Sequence, residues 1–189
     1  MSFRAVVVLS LGLLVAAYAS NPQNTLTQDR RDSLRVDKIE VSFAPDAQLL
    51  WFDAQGVPEE PAAKRAYLEQ KAGAPIKAAL DAEIKPAFRG TDPATLRVRI
   101  RLIHIQAMAA RVIFGAALYS IRADLELVDA KSGQIMLAAS NFDGLSAGVG
   151  GVAGILEAAV ADEPIVRVSK AFAHVLSAWL KTGEARKFG

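Results

Sequence analysis

A glycine-rich segment carries the pattern most typical of a catalytic site. Residues Gly144-Leu145-Ser146-Ala147-Gly148 match Gly-x-Ser-x-Gly, the nucleophile elbow of serine hydrolases, and Asp162 and His174 follow in triad order. An elbow needs a strand that turns sharply into a helix, and its partner residues lie on loops after later strands. The sequence predicts no strand after Ser146 and places His174 inside the last helix. A serine hydrolase is therefore kept only as an alternative, and we expect that the protein is not an enzyme.

The same segment also fits a dinucleotide-binding pattern. Residues 148–153 read Gly-x-Gly-x-x-Ala, which in a β-α-β unit seats a pyrophosphate at a helix N-terminus. The sequence predicts a helix after it but no second parallel strand. We therefore expect no bound cofactor.

The two histidines could in principle bind a metal, but the sequence places no carboxylate pair beside both. His104 shares the apolar parity of its strand, which predicts a partly buried side chain. His174 lies with Arg167, Lys170 and Lys181 on the polar face of the last helix. Solvation explains that face, and contact with acidic lipid is the alternative. No metal site is expected.

The elements that would position these residues follow one another as β-α-β-β-β-α. The predicted strands are Leu34–Phe43, Leu96–Gln106, Leu118–Asp129 and Gln134–Asn141, and the predicted helices span about residues 59–87 and begin again at an Asp162 cap. This order predicts an α+β fold, a two-layer sandwich whose four-stranded, mainly antiparallel sheet has two helices on one face.

Several local features refine these elements. A bulge is expected near Asp37-Lys38, and Ala44-Pro45-Asp46 is expected to end the first strand. Gly73 and Pro75 predict a kink, or two helical segments with Pro75 in the first turn of the second. The last helix is expected to bury one face. Its members are Ile165, Val168, Phe172, Val175, Leu176 and Trp179.

Alternation along the second predicted strand separates apolar from charged positions. Leu96, Val98, Ile100 and Leu102 are expected to face the core. Arg97, Arg99 and Arg101 would face solvent beside Asp124 and Glu126 of the next strand. Cross-strand ion pairs explain these charges without a ligand.

The chain begins with a segment typical of export. Arg4 precedes an apolar run from Ala5 to Ala17, and Ala17-Tyr18-Ala19 suits signal peptidase, although an uncleaved anchor is the alternative. We therefore predict a signal peptide at 1–19, a flexible leader at 20–33, a single domain at 34–183 and a tail at 184–189. The predicted location is the periplasm or the exterior.

Composition narrows the partners further. The net charge of +2 falls close to zero once Arg4 leaves with the signal, so nucleic acid is not an expected partner. Cysteine is absent, which excludes disulfides and a lipidated N-terminal cysteine.

The predicted topology brings two apolar, glycine-bearing segments to one end of the sheet. Residues 107–117 join the second strand to the third, and residues 144–161 leave the fourth strand at the same edge. Exposed apolar surface of this kind typically marks an interface. The alternatives are that the two segments pack on each other or that the strands extend through 107–117. The predicted interaction residues are Val112, Ile113, Phe114, Leu145, Val149, Val152 and Ile155.

The signal, the strand-helix-meander-helix order and the strand end at residues 126–135 (ELVDAKSGQI) resemble small α/β modules of outer-membrane lipoproteins. These include penicillin-binding protein activators, curli-assembly lipoproteins and auxiliary subunits of lipid-transporting ABC systems. The chain is also similar to uncharacterised exported alphaproteobacterial families. The resemblance implies an exported cell-envelope protein that acts as a non-catalytic binding or assembly module. Its partner would be an envelope protein or a second copy, and a membrane-contacting or oligomerising assembly factor is the alternative.

Overall fold

The computed structural model describes residues 22–52, 54–106, 116–144, 146–149 and 163–183. The predicted signal peptide and tail lie outside these ranges. The helices are α1 (Gln28–Ser33), α2 (Pro61–Ile84) and α3 (Pro164–Thr182), with a 3₁₀ turn at Lys85–Ala87 after α2. The strands are β1 (Leu34–Trp51), β2 (Asp92–Ile105), β3 (Ala116–Asp129), β4 (Ile135–Asp143) and β5 (Ser146–Val149).

The strands form one mixed sheet in the order β1-β2-β3-β4. β1 pairs with β2 in parallel, whereas the β2–β3 and β3–β4 pairs are antiparallel. β5 continues along the edge of β3 that β4 occupies. The predicted α+β sandwich with a mainly antiparallel sheet is confirmed, and β5 and α1 are additions to it.

Both long helices bury their apolar faces in one core against the sheet. α2 buries residues that recur every four positions, including Ile76, Leu80 and Ile84. The predicted buried face of α3 is confirmed in full, with Trp179 and Phe172 completely buried. These two rings meet Phe142 of β4, whose centroid lies 5.1 Å from that of Trp179.

Two helix boundaries differ from the prediction. α2 runs unbroken through Pro75, so the predicted division into two helical segments is wrong, while the alternative of a kink stays a prediction. Ala72 and Ile76 on either side share the buried stripe, and packing outweighs the hydrogen bond that proline removes. In α3 the N-cap residue is Glu163 rather than Asp162, and Pro164 occupies the first turn. Asp162 lies outside the described residues.

β1 does not end at Ala44-Pro45-Asp46 as predicted. It continues to Trp51 through a register shift between Phe43 and Gln48. The guanidinium of Arg65 on α2 donates to the carbonyl oxygens of Ala44 at 2.6 Å and Pro45 at 2.7 Å. Groups that the irregular backbone leaves unpaired in the sheet are thus satisfied by the helix. The predicted bulge at Asp37 is confirmed.

A bulge in β2 changes which residues face the core. The pairing with β3 shifts between Ile100 and Leu102. Ile103 and Ile105 are buried after it, and Leu102 is only half-buried. The prediction that Leu102 joins the core face is therefore wrong, because one inserted residue reverses the alternation.

The leader that the sequence predicts as flexible is ordered from Pro22 onward. Asn24 is buried, and its amide donates to the carbonyl oxygen of Trp179 at 2.9 Å. The indole nitrogen of Trp179 donates in turn to the carbonyl oxygen of Pro22 at 2.9 Å. Thr27 then caps α1. The polar composition of this segment reflects hydrogen bonds to α3, which local sequence does not reveal.

Candidate functional site

The two segments expected to converge do so where the structure describes them. β5 pairs antiparallel with the start of β3, which places Ala116 opposite Val149 and Ala117 opposite Gly148. The start of β3 at Ala116 also agrees with the alternative that strands extend into 107–117. Of the predicted interaction residues, Val149 lies in β5. The other six lie outside the described residues and are Val112, Ile113, Phe114, Leu145, Val152 and Ile155.

One row of residues crosses the whole sheet at this end. Trp51 pairs with Ile105, Ile105 with Tyr119, and Tyr119 with Ser146. We call this end of the sheet the β5 end. The opposite end, where residues 130–134 form the turn from β3 to β4, is the hairpin end. The predicted interaction segments all begin or finish at the β5 end.

Exposed apolar side chains at the end of β1 and directly after it add to the β5 end. Leu50 is 40% exposed and Phe52 is 63% exposed, and Leu50 pairs with His104 of β2. The Phe52 ring meets the His104 ring edge-on at 6.1 Å between centroids. Sequence reasoning missed both residues, because it ended the first strand at Phe43. His104 is half-buried as predicted, but the reason is the β2 bulge, which places it on the face away from the helices.

A second group of side chains borders the β5 end on the helix side. Trp51 packs against the core, and the ammonium of Lys71 lies 5.7 Å from its ring centroid and 5.6 Å from that of Tyr67. On α3, the Arg167 guanidinium lies 5.6 Å from the ring centroid of Tyr119 and donates to its hydroxyl at 3.3 Å. At this end of the domain, each of the two long helices therefore carries a cation that lies over an aromatic ring.

The geometry around Ser146 is not that of a nucleophile elbow. Ser146 lies in β5, opposite Tyr119 in an antiparallel pair, and not in a turn between a strand and a helix. His174 is on the exposed face of α3, as predicted, with Nδ1 3.4 Å from Oε1 of Glu83 on α2. The exposed side chain of His174 therefore contacts α2.

Gly144 has a structural role that explains the first glycine of the motif. Its backbone N–H donates to the carbonyl oxygen of Ile121 at 3.0 Å. This hydrogen bond lies where the pairing of β3 with β4 ends and its pairing with β5 begins. A Cβ at this position would overlap Cδ2 of Phe172 on α3. Glycine is therefore required for the helix to approach the backbone, independently of any catalysis.

The sheet face opposite the helices carries the predicted cross-strand charges. Arg97 reaches Glu40 at 3.2 Å and Glu126 at 3.5 Å. Arg101 reaches Asp46 at 3.1 Å and Asp124 at 3.6 Å. The ion pairs expected for Arg97 and Arg101 are confirmed. The Lys38 ammonium, which donates to Glu40, and the Arg97 guanidinium hold the pKa of that carboxyl below its usual value.

Within the described ranges, no helix combines the length and apolar character needed to cross a membrane. Across the same residues, no group of three histidine or carboxylate side chains is arranged as metal ligands.

The solved structures similar to this chain include two proteins of low sequence identity. A predicted lipoprotein from Caulobacter crescentus is 17% identical, with a TM-score of 0.36 over 59% of this chain and 82% of its own. A PelC dodecamer from Paraburkholderia phytofirmans is 13% identical, with a TM-score of 0.36 over 89% of this chain and 96% of its own.

Among curated proteins no sequence matches this chain. A family model, in contrast, matches residues 31–188, which include every described element from β1 to α3. The chain therefore belongs to DUF6778, a family of unknown function.

Proposed function

We propose that this chain is an exported cell-envelope protein that acts as a non-catalytic binding or assembly module through its β5 end. The observation that best supports this proposal is the pairing of β3 with β5, which brings residues 116–117 and 146–149 together at one end of the sheet. The neighbouring segments 107–115 and 150–161 are rich in apolar residues and glycine. Leu50 and Phe52 are exposed beside this edge and supply apolar area of the kind that binding surfaces use.

The chemistry of the β5 end supports binding rather than catalysis. Its described side chains include the Phe52–His104 ring pair and the Arg167 guanidinium over the Tyr119 ring. Ser146, the one candidate nucleophile of the motif, lies in a strand. Surfaces rich in aromatic residues and arginine are typical of protein–protein contacts.

The direction of α3 places the leader and the proposed contact surface at opposite ends of the domain. Arg167 near its start contacts Tyr119 at the β5 end, whereas Lys181 near its finish lies over Phe88 beside the start of β1. Pro22 is bonded to Trp179 in the last turns of α3. Pro22 therefore lies at the hairpin end, away from the proposed contact surface.

Serine substitutions at the β5 end test the proposal. We expect Leu50→Ser with Phe52→Ser, and separately Val112→Ser, Ile113→Ser and Phe114→Ser, to abolish self-association in analytical ultracentrifugation or partner capture by cross-linking in the envelope. Ile135→Ser is the matched control, because Ile135 is 56% exposed but lies at the hairpin end.

The outcomes separate the alternatives. If the β5-end variants behave as the wild type, or if Ile135→Ser has the same effect, the proposed surface is wrong. Liposome flotation that is lost only in the β5-end variants would favour the membrane-contacting assembly factor. Covalent labelling of Ser146 by a fluorophosphonate would instead favour the serine hydrolase.

A further inference from the structure

A groove of about 310 Å³ lies on the sheet face opposite the helices, outside the β5 end. Its side walls are charged and its floor is formed by small side chains, with Ala138 and Ser140 contributed by β4 and Ser42 by β1. This volume is at the lower limit of the about 300–1,000 Å³ typical of small-molecule sites. The groove therefore suits a ligand of a single ring.

Arg99 in this groove differs from the other arginines of the face. Arg97, Arg101 and Arg122 each form an ion pair with at least one carboxylate. In the part of the chain that the structure describes, Arg99 makes no ion pair or side-chain hydrogen bond. Its guanidinium thus retains all of its donors for a ligand.

The carboxylate opposite Arg99, that of Asp124, binds a backbone N–H and does not pair with Arg99. Arg99 and Asp124 are register partners in the β2–β3 pair. Asp124 instead accepts from the backbone N–H of Asn141 at 3.0 Å and lies 3.6 Å from Arg101. Asn141 has a φ of +55°, at a point where the β3–β4 pairing shifts. A bulge with an uncommon backbone angle therefore keeps Asp124 from neutralising Arg99.

The groove also has hydroxyl groups and acceptors around this cation. Ser42 is the register partner of Arg99 on β1, and Ser140 stands on β4, on the other side of β3. The carboxylates of Glu40, Asp124 and Glu126 already face arginines but keep lone pairs that accept hydrogen bonds. These three negative charges disfavour a dianion, whereas one guanidinium suits one carboxylate in a bidentate contact.

We propose that this groove binds a small polyhydroxylated carboxylic acid, such as a hexuronic acid. The ligand carboxylate is held by Arg99, and its hydroxyls donate to Glu40, Asp124 and Glu126. Ser42 and Ser140 provide further donors. The site is separate from the β5 end and uses none of its residues.

The test is a titration of the purified protein with sodium glucuronate up to 50 mM, followed by backbone amide chemical shifts. We expect saturable shifts at residues lining the groove. Arg99→Gln should raise the dissociation constant about tenfold or more, as expected for loss of a charge-assisted hydrogen bond. Ala138→Leu should also abolish binding, because it fills the groove and leaves every charge in place.

Two controls, a second arginine variant and a ligand without a carboxylate, test whether binding is specific to the groove. Arg122→Gln removes an arginine from the same face, but one that pairs with Asp143 outside the groove, and should leave the dissociation constant unchanged. Glucose should bind at least tenfold more weakly than glucuronate, since it lacks the carboxylate. The proposal is overturned by shifts that do not saturate, by inorganic phosphate binding as well as glucuronate, or by equal losses in Arg122→Gln and Arg99→Gln.

Discussion

The ring of Phe172 on α3 lies against the backbone of Gly144, close enough that a Cβ at Gly144 would overlap Cδ2 of the ring. The Cα of Phe172 would itself be 3.2 Å from that Cβ. Gly144 also lies where the strand that pairs with this edge of β3 changes from β4 to β5. One residue thus couples the position of α3 to the geometry of the β5 end.

Gly144→Ala is therefore expected to lower the free energy of unfolding by about 1–3 kcal/mol, the cost typical of overpacking. Urea denaturation checks this value. Gly73→Ala in α2 is the control, because its Cβ would lie 3.7 Å from Phe43, an ordinary contact, and alanine favours a helix. Equal effects of the two substitutions would contradict the role assigned to Phe172.

Asn24→Ala is expected to destabilise the protein by about 1–2 kcal/mol, since it removes a buried amide that donates to the carbonyl oxygen of Trp179 and accepts from the backbone N–H of Leu26. The matched control is Gln23→Ala at the exposed neighbouring position, which should leave the melting temperature unchanged. Thermal unfolding followed by tryptophan fluorescence reports both variants. If Asn24→Ala unfolds like the wild type, residues 22–26 do not hold α3.

Arg65→Met is expected to cost about 1–3 kcal/mol, because it removes the donors to Ala44 and Pro45 but keeps the alkyl stem. Hydrogen exchange should then become faster in β1 between Phe43 and Trp51. Arg65→Lys restores one donor and should recover part of the loss. Unchanged exchange in this part of β1 would show that the strand continues through Pro45 without the helix.

The turn between β3 and β4 predicts an acid-dependent contribution to stability. Asp129 accepts from the backbone N–H of Ser132, from its hydroxyl and from the backbone N–H of Lys131, which lowers the pKa of Asp129 below its ordinary value of 3.8. A carboxyl whose pKa is lower in the folded state stabilises the fold above the unfolded pKa, and this stability is lost as the pH falls through the folded pKa. Asp129→Asn should therefore flatten the dependence of unfolding free energy on pH below about pH 4, with a smaller effect for Ser132→Ala. Equal slopes in wild type and Asp129→Asn would refute this.

Periodicity was sufficient to predict the layers of this fold. The four-residue repeat of Ile76, Leu80 and Ile84, and the apolar face of α3 ending at Trp179, both appear in the core as expected. Alternation failed at the β2 bulge at Arg101, because one extra residue exchanges the two faces of a strand. Propensity failed at Pro45, where an arginine twenty positions later in the chain supplies the missing hydrogen bonds.

The sequence by itself determined the fold class, the buried stripes of both long helices and the convergence of two apolar segments at one end of the sheet. These properties depend on local periods of two and of about four residues and on chain order, which need no knowledge of distant contacts. Only the tertiary structure decided that Pro22–Leu26 is ordered, that Leu50 and Phe52 are exposed at the β5 end, and that Arg99 lacks the partner its neighbours have. Each of these depends on which residues meet from separate strands and helices, because a hydrogen bond or an ion pair is made only at contact distance.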